Sequence, residues 1–218
     1  MLLIHEREQL VEFGRRMRDD ELTVGTSGNL SIRCGDLVAI TPSGTAYETL
    51  TPEAICVIDL EGKRVDGRLV PSSEVPMHTL VYQSTDAAAV VHTHPLYAST
   101  LSVLVDELPA VHYMIALLGG PVRVAPYARY GSPELAENSV RAMDERYAVI
   151  LQNHGATTWG ENLARAYTRS VYLEWLCRLY YQARLLGEPH LLSAQEISAV
   201  GDLLRTYGQR PGDPPSAV

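Results

Sequence analysis

Two histidines stand two residues apart in Val90-Val91-His92-Thr93-His94-Pro95, at the end of an apolar run. On a β-strand, residues i and i+2 point to one face, so both imidazoles would enter the same space. A third, His154, follows the apolar stretch Ala148–Leu151 in Gln152-Asn153-His154-Gly155. Side chains just past a strand emerge at a sheet edge, where clefts form. Two imidazoles at strand spacing plus a distant third match a catalytic zinc site with one position left open. The competing reading is a pair of hydrogen-bonded histidines in a core or on a surface; the H-x-H spacing alone leaves both standing. His5, His78, His112 and His190 have no such companions and default to structural roles.

Pro71-Ser72-Ser73-Glu74-Val75-Pro76 suggests a second chemistry. Serines before a proline are an N-cap signature for a helix over Val75–Gln83. Hydroxyls and free N–H groups at a helix start can hold an anion without any lysine. The turns Gly28-Asn29 and Ser43-Gly44 can offer further N–H groups to the same phosphate, although Gly-rich turns are commonly only turns. Glu74 would then lie between phosphate and metal; its alternative role is a first-turn carboxylate favoured by the helix dipole. The chain has a single lysine, Lys63, in the turn Glu61-Gly62-Lys63, which leaves little room for Schiff-base chemistry.

These residues need a frame. Leu3, Leu10, Phe13 and Met17 form one stripe of a helix running to about Asp20, which Gly25–Asn29 breaks. Strands are expected at Leu30–Arg33, Leu37–Ile40, Ile55–Ile58, Ala88–His92, Val122–Ala125 and Ala148–Leu151, with a hairpin turn at Cys34-Gly35-Asp36. Helices are expected after Pro95, over Pro133–Asp144, over Glu161–Leu186 with Gly187 as cap, and over Ser193–Thr206. In the long helix Leu163, Tyr167, Val171, Trp175 and Leu179 recur every four residues as the core stripe. This interleaving predicts an α/β fold of three layers, α/β/α, around a central, mostly antiparallel sheet. One domain is expected over residues 1–210, with a Pro-rich, disordered tail at 211–218.

A net charge of −8 over 218 residues argues against a nucleic-acid partner. An anionic substrate would therefore need a local positive centre, from a metal or a helix N-terminus. MLLIHEREQL turns charged too soon for a signal-peptide core, and no run approaches a membrane span. Three scattered cysteines, Cys34, Cys56 and Cys177, suit free thiols in a reducing compartment. A cytoplasmic location is expected.

The ordered set Gly25-Thr26-Ser27-Gly28-Asn29, Thr41-Pro42-Ser43-Gly44, Pro71-Ser72-Ser73-Glu74, His92-Thr93-His94, His112-Tyr113-Met114-Ile115 and His154-Gly155 resembles the class II sugar-phosphate aldolase and adducin-like family, from the first helix to about Tyr207. The resemblance implies a homotetramer with active sites between subunits and one Zn²⁺ per subunit. It implies that His92, His94 and His154 are metal ligands, and that Glu74 is the acid/base and a further ligand. Gly28, Asn29, Ser43, Gly44, Ser72 and Ser73 would hold the phosphate. Tyr113, from a neighbouring subunit, would donate a proton at the aldehyde oxygen, and Tyr130 and Tyr207 would cover the site. The implied reaction is reversible cleavage of a ketose 1-phosphate, L-fuculose 1-phosphate or a relative such as 5-deoxyribulose 1-phosphate. Its products are dihydroxyacetone phosphate and a small aldehyde such as L-lactaldehyde. For that task the Glu74 pKa is expected to be raised towards neutrality by burial.

Tyr130 replaces the Phe of the nearest members. The alternatives within the family are an L-ribulose-5-phosphate 4-epimerase, which typically has Asp in place of Glu74, and a methylthioribulose-1-phosphate dehydratase. A non-enzymatic scaffold like the adducin head would lack the three histidines retained here.

Overall fold

The structure, a computed structural model, describes residues 1–205, so Tyr207 and the Pro-rich segment 211–218 lie outside the described residues. In chain order, helix α1 (Ile4–Asp19) leads into the hairpin β1 (Asn29–Cys34) and β2 (Leu37–Ile40). Then come β3 (Cys56–Asp59), β4 (Arg64–Asp66), α2 (Val75–Ser84), β5 (Ala89–Thr93), α3 (Leu96–Ser102) and β6 (Glu107–Leu108). A 3-10 segment, Tyr113–Leu118, precedes β7 (Val122–Ala125), α4 (Pro133–Ala142), β8 (Ala148–Leu151), β9 (Gly155–Gly160), α5 (Leu163–Leu186) and α6 (Ala194–Leu204).

Among the described residues the strands form one sheet in the order β4-β3-β2-β1-β5-β9-β8-β7-β6. Only β7 and β8 pair in parallel, as their linking helix α4 requires; every other pairing is antiparallel. Helices cover both faces. Val38, Ile40, Val90, Val149 and Leu151 face α2 and α4 on one side. Leu30, Ile32 and Val91 face α1 and the start of α5, while Ala148 and Ile150 face α3 and α5. Successive β8 residues thus alternate between two cores, which explains why its sequence is an unbroken apolar run. The expected three-layer architecture and mostly antiparallel sheet are present.

Three departures have physical reasons. β9, unread in the sequence, lies in the middle of the sheet although its residues are Gly-Ala-Thr-Thr-Trp-Gly. Its buried threonines find partners: Thr158 Oγ1 donates to the Ala166 carbonyl, and Thr157 Oγ1 to Met77 Sδ. The expected stripe on α5 does not hold either: Val171 and Trp175 are exposed, and Leu173, Leu176 and Cys177 are buried instead. Four residues turn a helix about 40° past a full circle, so a strict four-residue period drifts off the buried face. Finally, β4 and β6 are too short to carry a pattern.

Candidate active site

The sheet brings the three histidines together at one end of adjacent strands. β5 pairs with β9 in the register His92↔Thr157 and Thr93↔Ala156, and β8 turns into β9 through Gln152-Asn153-His154. Asn153 takes a left-handed conformation (φ 54°), tolerated best by Asn among side-chain-bearing residues, and this aims His154 back over the sheet end. Gly155 is required by close approach: a Cβ there would lie 2.3 Å from the Thr93 carbonyl oxygen. The ring centroids of His92, His94 and His154 form a near-equilateral triangle with sides of 4.7, 4.9 and 4.9 Å.

His92 is wholly buried, and its tautomer follows from its partners. Nδ1 faces two acceptors, the Ala156 carbonyl at 3.0 Å and Thr157 Oγ1 at 3.1 Å, whose own hydrogen is given to Met77. Nδ1 therefore carries the hydrogen, and in the neutral ring Nε2 presents its lone pair to the cluster. It lies 2.9 Å from His94 Nε2 and 2.9 Å from Glu74 Oε2. Burial, together with His92 and His154, pushes His94 down to about 3, and burial with His92 pushes His154 down to about 4, so both rings are neutral at physiological pH.

Glu74 enters from the start of α2, where it occupies the N-cap position. The expected serine cap is corrected: Ser72 Oγ accepts from the Glu74 N–H rather than from the first helical turn. The Glu74 side chain leaves the helix for the histidines. Oε2 accepts from Asn29 Nδ2 at 2.8 Å; Oε1 is buried, accepts no hydrogen bond and lies 3.4 Å from His154 Nε2. The expected rise in its pKa is not found. Burial does push the carboxyl up, but when His92 is protonated its charge and its hydrogen bond, with the hydrogen bond from Asn29 and charge on His154, outweigh burial and hold the carboxyl below the usual carboxylate range; beside neutral rings the Asn29 bond alone is left to offset burial.

One ligand atom from each of Glu74, His92, His94 and His154 lies within 4.8 Å of the others, a group that fits a metal ion. Three neutral nitrogens and one carboxylate oxygen are the donor set of a zinc-like centre. Two observations support the fit. Facing Nε2 atoms at 2.9 Å repel unless a proton or cation lies between them, and a buried carboxylate oxygen without a partner calls for one.

A cleft of about 290 Å³ opens above the cluster, and Gly28, Asn29, Ser43, Gly44, Ser72, Ser73, Glu74, His94, His154 and Tyr130 all line it. Thr26, Ser27, Tyr127 and Asn153 line it too and were not singled out in the sequence; Tyr127, three residues before Tyr130, was the legible one. Among the described residues, no lysine or arginine lines the cleft. The N–H groups of Gly44 and Ser73 donate to no acceptor among the described residues, so they are available to an anion. Tyr113 is not in the cleft. It begins the 3-10 segment, is 47% exposed and makes no hydrogen bond through its hydroxyl among the described residues.

Residues 8–181 match the family described as Class II Aldolase and Adducin N-terminal domain. A protein of Bacillus thuringiensis serovar kurstaki named 5-deoxy-D-ribulose 1-phosphate aldolase is 42% identical over 213 residues, which is 96% of this chain and 100% of the relative. The L-fuculose phosphate aldolase of Escherichia coli K12 is 40% identical over 205 residues, 93% of this chain and 95% of the relative. A solved structure of an L-fuculose 1-phosphate aldolase superposes with a TM-score of 0.90 at 39% identity, covering 92% of this chain and 96% of that one.

Proposed function

We propose, from the premise that this chain belongs to the Class II Aldolase and Adducin N-terminal domain family, that it is a lyase reversibly cleaving a ketose 1-phosphate to dihydroxyacetone phosphate and a small aldehyde. The observation that carries the reading is the convergence of Glu74 with His92, His94 and His154 at the floor of a cleft rimmed by free N–H and hydroxyl groups. The names of the relatives point to 5-deoxyribulose 1-phosphate or L-fuculose 1-phosphate as substrate, releasing acetaldehyde or L-lactaldehyde. We assign the metal as zinc, held by the three histidines with Glu74 as a further ligand. When bound, it supplies a Lewis acid for the negative charge that develops as the C3–C4 bond breaks.

The residues of the chain do the rest. Gly28, Asn29, Ser43, Gly44, Ser72 and Ser73 hold the phosphate through N–H and hydroxyl groups, which suits a cleft without cationic side chains. Glu74, one of the cleft-lining residues, gives a proton to C3 in cleavage and removes it in condensation. Tyr113 of a neighbouring subunit passes the proton at the aldehyde oxygen; its exposure outside the cleft of its own chain supports that origin. Tyr130, 67% exposed on the cleft rim, shields the aldehyde end; Tyr207, outside the described residues, is assigned the same role on the family resemblance alone. The assembly is a homotetramer, and the single domain spans 1–210. Lys63 lies exposed outside the cleft, so no amine stands where a Schiff base would form. Among the described residues no helix is long and apolar enough to cross a membrane, and we place the protein in the cytoplasm on its free cysteines.

The test is a cleavage assay over a panel of ketose 1-phosphates with zinc-loaded protein, detecting dihydroxyacetone phosphate. Release from at least one 5- or 6-deoxy ketose phosphate is expected. No release from any of them, together with no exchange of the C3 proton of dihydroxyacetone phosphate, overturns the reading.

A further inference from the structure

His78, which the sequence assigned to a structural role, lies wholly buried on α2, one turn beyond Glu74. Both its ring nitrogens are engaged. Nδ1 is 2.7 Å from Ser31 Oγ, and Nε2 is 2.5 Å from Asn29 Oδ1. Ser31 Oγ is in turn 2.6 Å from the Tyr82 hydroxyl, and Asn29 Nδ2 is 2.8 Å from Glu74 Oε2. Five buried groups thus form one line from Tyr82 through Ser31, His78 and Asn29 to the Glu74 carboxylate.

Every link in this line has a direction. An ionised carboxylate only accepts, so Asn29 must face Glu74 with its N–H. Its Oδ1 is then turned to His78 Nε2, which must carry a hydrogen. In the neutral ring Nδ1 accepts from Ser31 Oγ–H, and Ser31 accepts from Tyr82. Were the carboxamide turned over, Oδ1 would meet the Glu74 oxygen, and two buried acceptors would face each other unpaired. The ring itself is held: a half-turn about its Cβ–Cγ bond would replace both nitrogens by carbons and lose both hydrogen bonds.

We propose that His78 is a positioning residue of this site: by donating from Nε2 to Asn29 Oδ1 it holds the Asn29 carboxamide with its N–H, not its oxygen, against the proton-carrying carboxylate of Glu74. The proposal rests on the reading of Glu74 as the group that moves the C3 proton. Without His78 the carboxamide is free to turn over, and Glu74 is left beside an acceptor or without its partner on Oε2. His92, His94 and His154 and the N–H groups of Gly44 and Ser73 keep their own supports, because none of them bonds to the His78 ring.

The experiment compares His78→Phe, which fills the space without a donor, with His78→Gln, whose side-chain N–H can occupy about the place of Nε2–H. Zinc content, C3-proton exchange of dihydroxyacetone phosphate, and kcat and KM for the ketose 1-phosphate are read for each. His78→Phe is expected to keep its zinc and to lose about 10- to 100-fold in exchange and kcat, the range of one hydrogen bond to a charged group, with KM moving less. His78→Gln recovers most of that loss. In an Asn29→Ala background His78→Phe has no further effect, because the route runs through Asn29. Equal losses in both backgrounds, zinc loss in step with activity, or Gln behaving like Phe would each overturn the proposal. A measurement on the unmutated, zinc-loaded protein covers the case in which Phe is not tolerated: ¹⁵N NMR of the His78 ring is expected to show hydrogen on Nε2. A neutral ring with its hydrogen on Nδ1 overturns the proposal outright. Failure of the aldolase reading is distinguishable, since it shows as absent exchange and cleavage in the unmutated protein.

Discussion

At the scale of single residues, each member of the cluster is held by a partner that decides what it can do. His92 is committed at Nδ1 to Ala156 and Thr157, so only Nε2 is left to the cluster. Replacing His92, His94 or His154 by Ala should release the bound metal, measured by elemental analysis of purified protein; retention of about one zinc per chain would disprove the ligand set. Glu74→Gln should leave the fold intact and abolish C3-proton exchange, because an amide cannot carry the proton. Unchanged exchange in that variant would assign the base to another group. The three clustered histidines were legible in the sequence because strand spacing and strand ends are local facts. The sign of the Glu74 pKa shift was not, because it depends on the protonation of His92 and on the hydrogen bond from Asn29, residues 18 and 45 positions away.

At the scale of elements, the site depends on how closely strand ends approach. Gly155 lets β9 start against the Thr93 carbonyl, which sets His154 beside His94. Gly155→Ala must push the two strands apart. The expected cost is about 1–3 kcal/mol in urea unfolding, as for other overpacked sites, with weaker metal binding in a titration. Unaltered metal affinity would show that the approach is not what places His154. Glu174 on α5 works differently: its two oxygens accept from the N–H groups of Tyr97 and Ala98, each at 2.8 Å, and so cap α3 just after His94-Pro95. Glu174→Ala should destabilise by about 2 kcal/mol through two lost charge-assisted bonds, while His94, held by its own N–H to the Leu22 carbonyl, keeps its metal. Helices and the strands β1, β2, β3, β5, β7 and β8 were legible because caps and periodicity are written locally. β9 was not, since buried threonines look polar until their partners on α2 and α5 are known.

At the scale of the whole molecule, the proposed role of Tyr113 would couple activity to assembly. Glu74→Gln and Tyr113→Phe should each be inactive in carbon–carbon cleavage as homo-oligomers, while co-assembled mixtures recover activity if one site draws on two chains. Random pairing of equal amounts predicts about a quarter of the unmutated activity. No recovery on mixing would place both groups in one chain. By itself the sequence determined the chemistry available: three imidazoles and a carboxylate at strand ends and a helix start, serines and glycines in the right turns, and one lysine, none of which depends on folding to be present. It also determined the α/β class, because hydrophobic periodicity and turn residues act over a few positions. Tertiary structure decided which groups share a proton or face a ligand. It turned His78 from an isolated histidine into the support of Asn29, drew Glu74 off its helix into the cluster, and left Tyr113 outside the cleft of its own chain. Those outcomes rest on hydrogen bonds and packing between residues tens of positions apart, and only the folded sheet brings such residues within reach of one another.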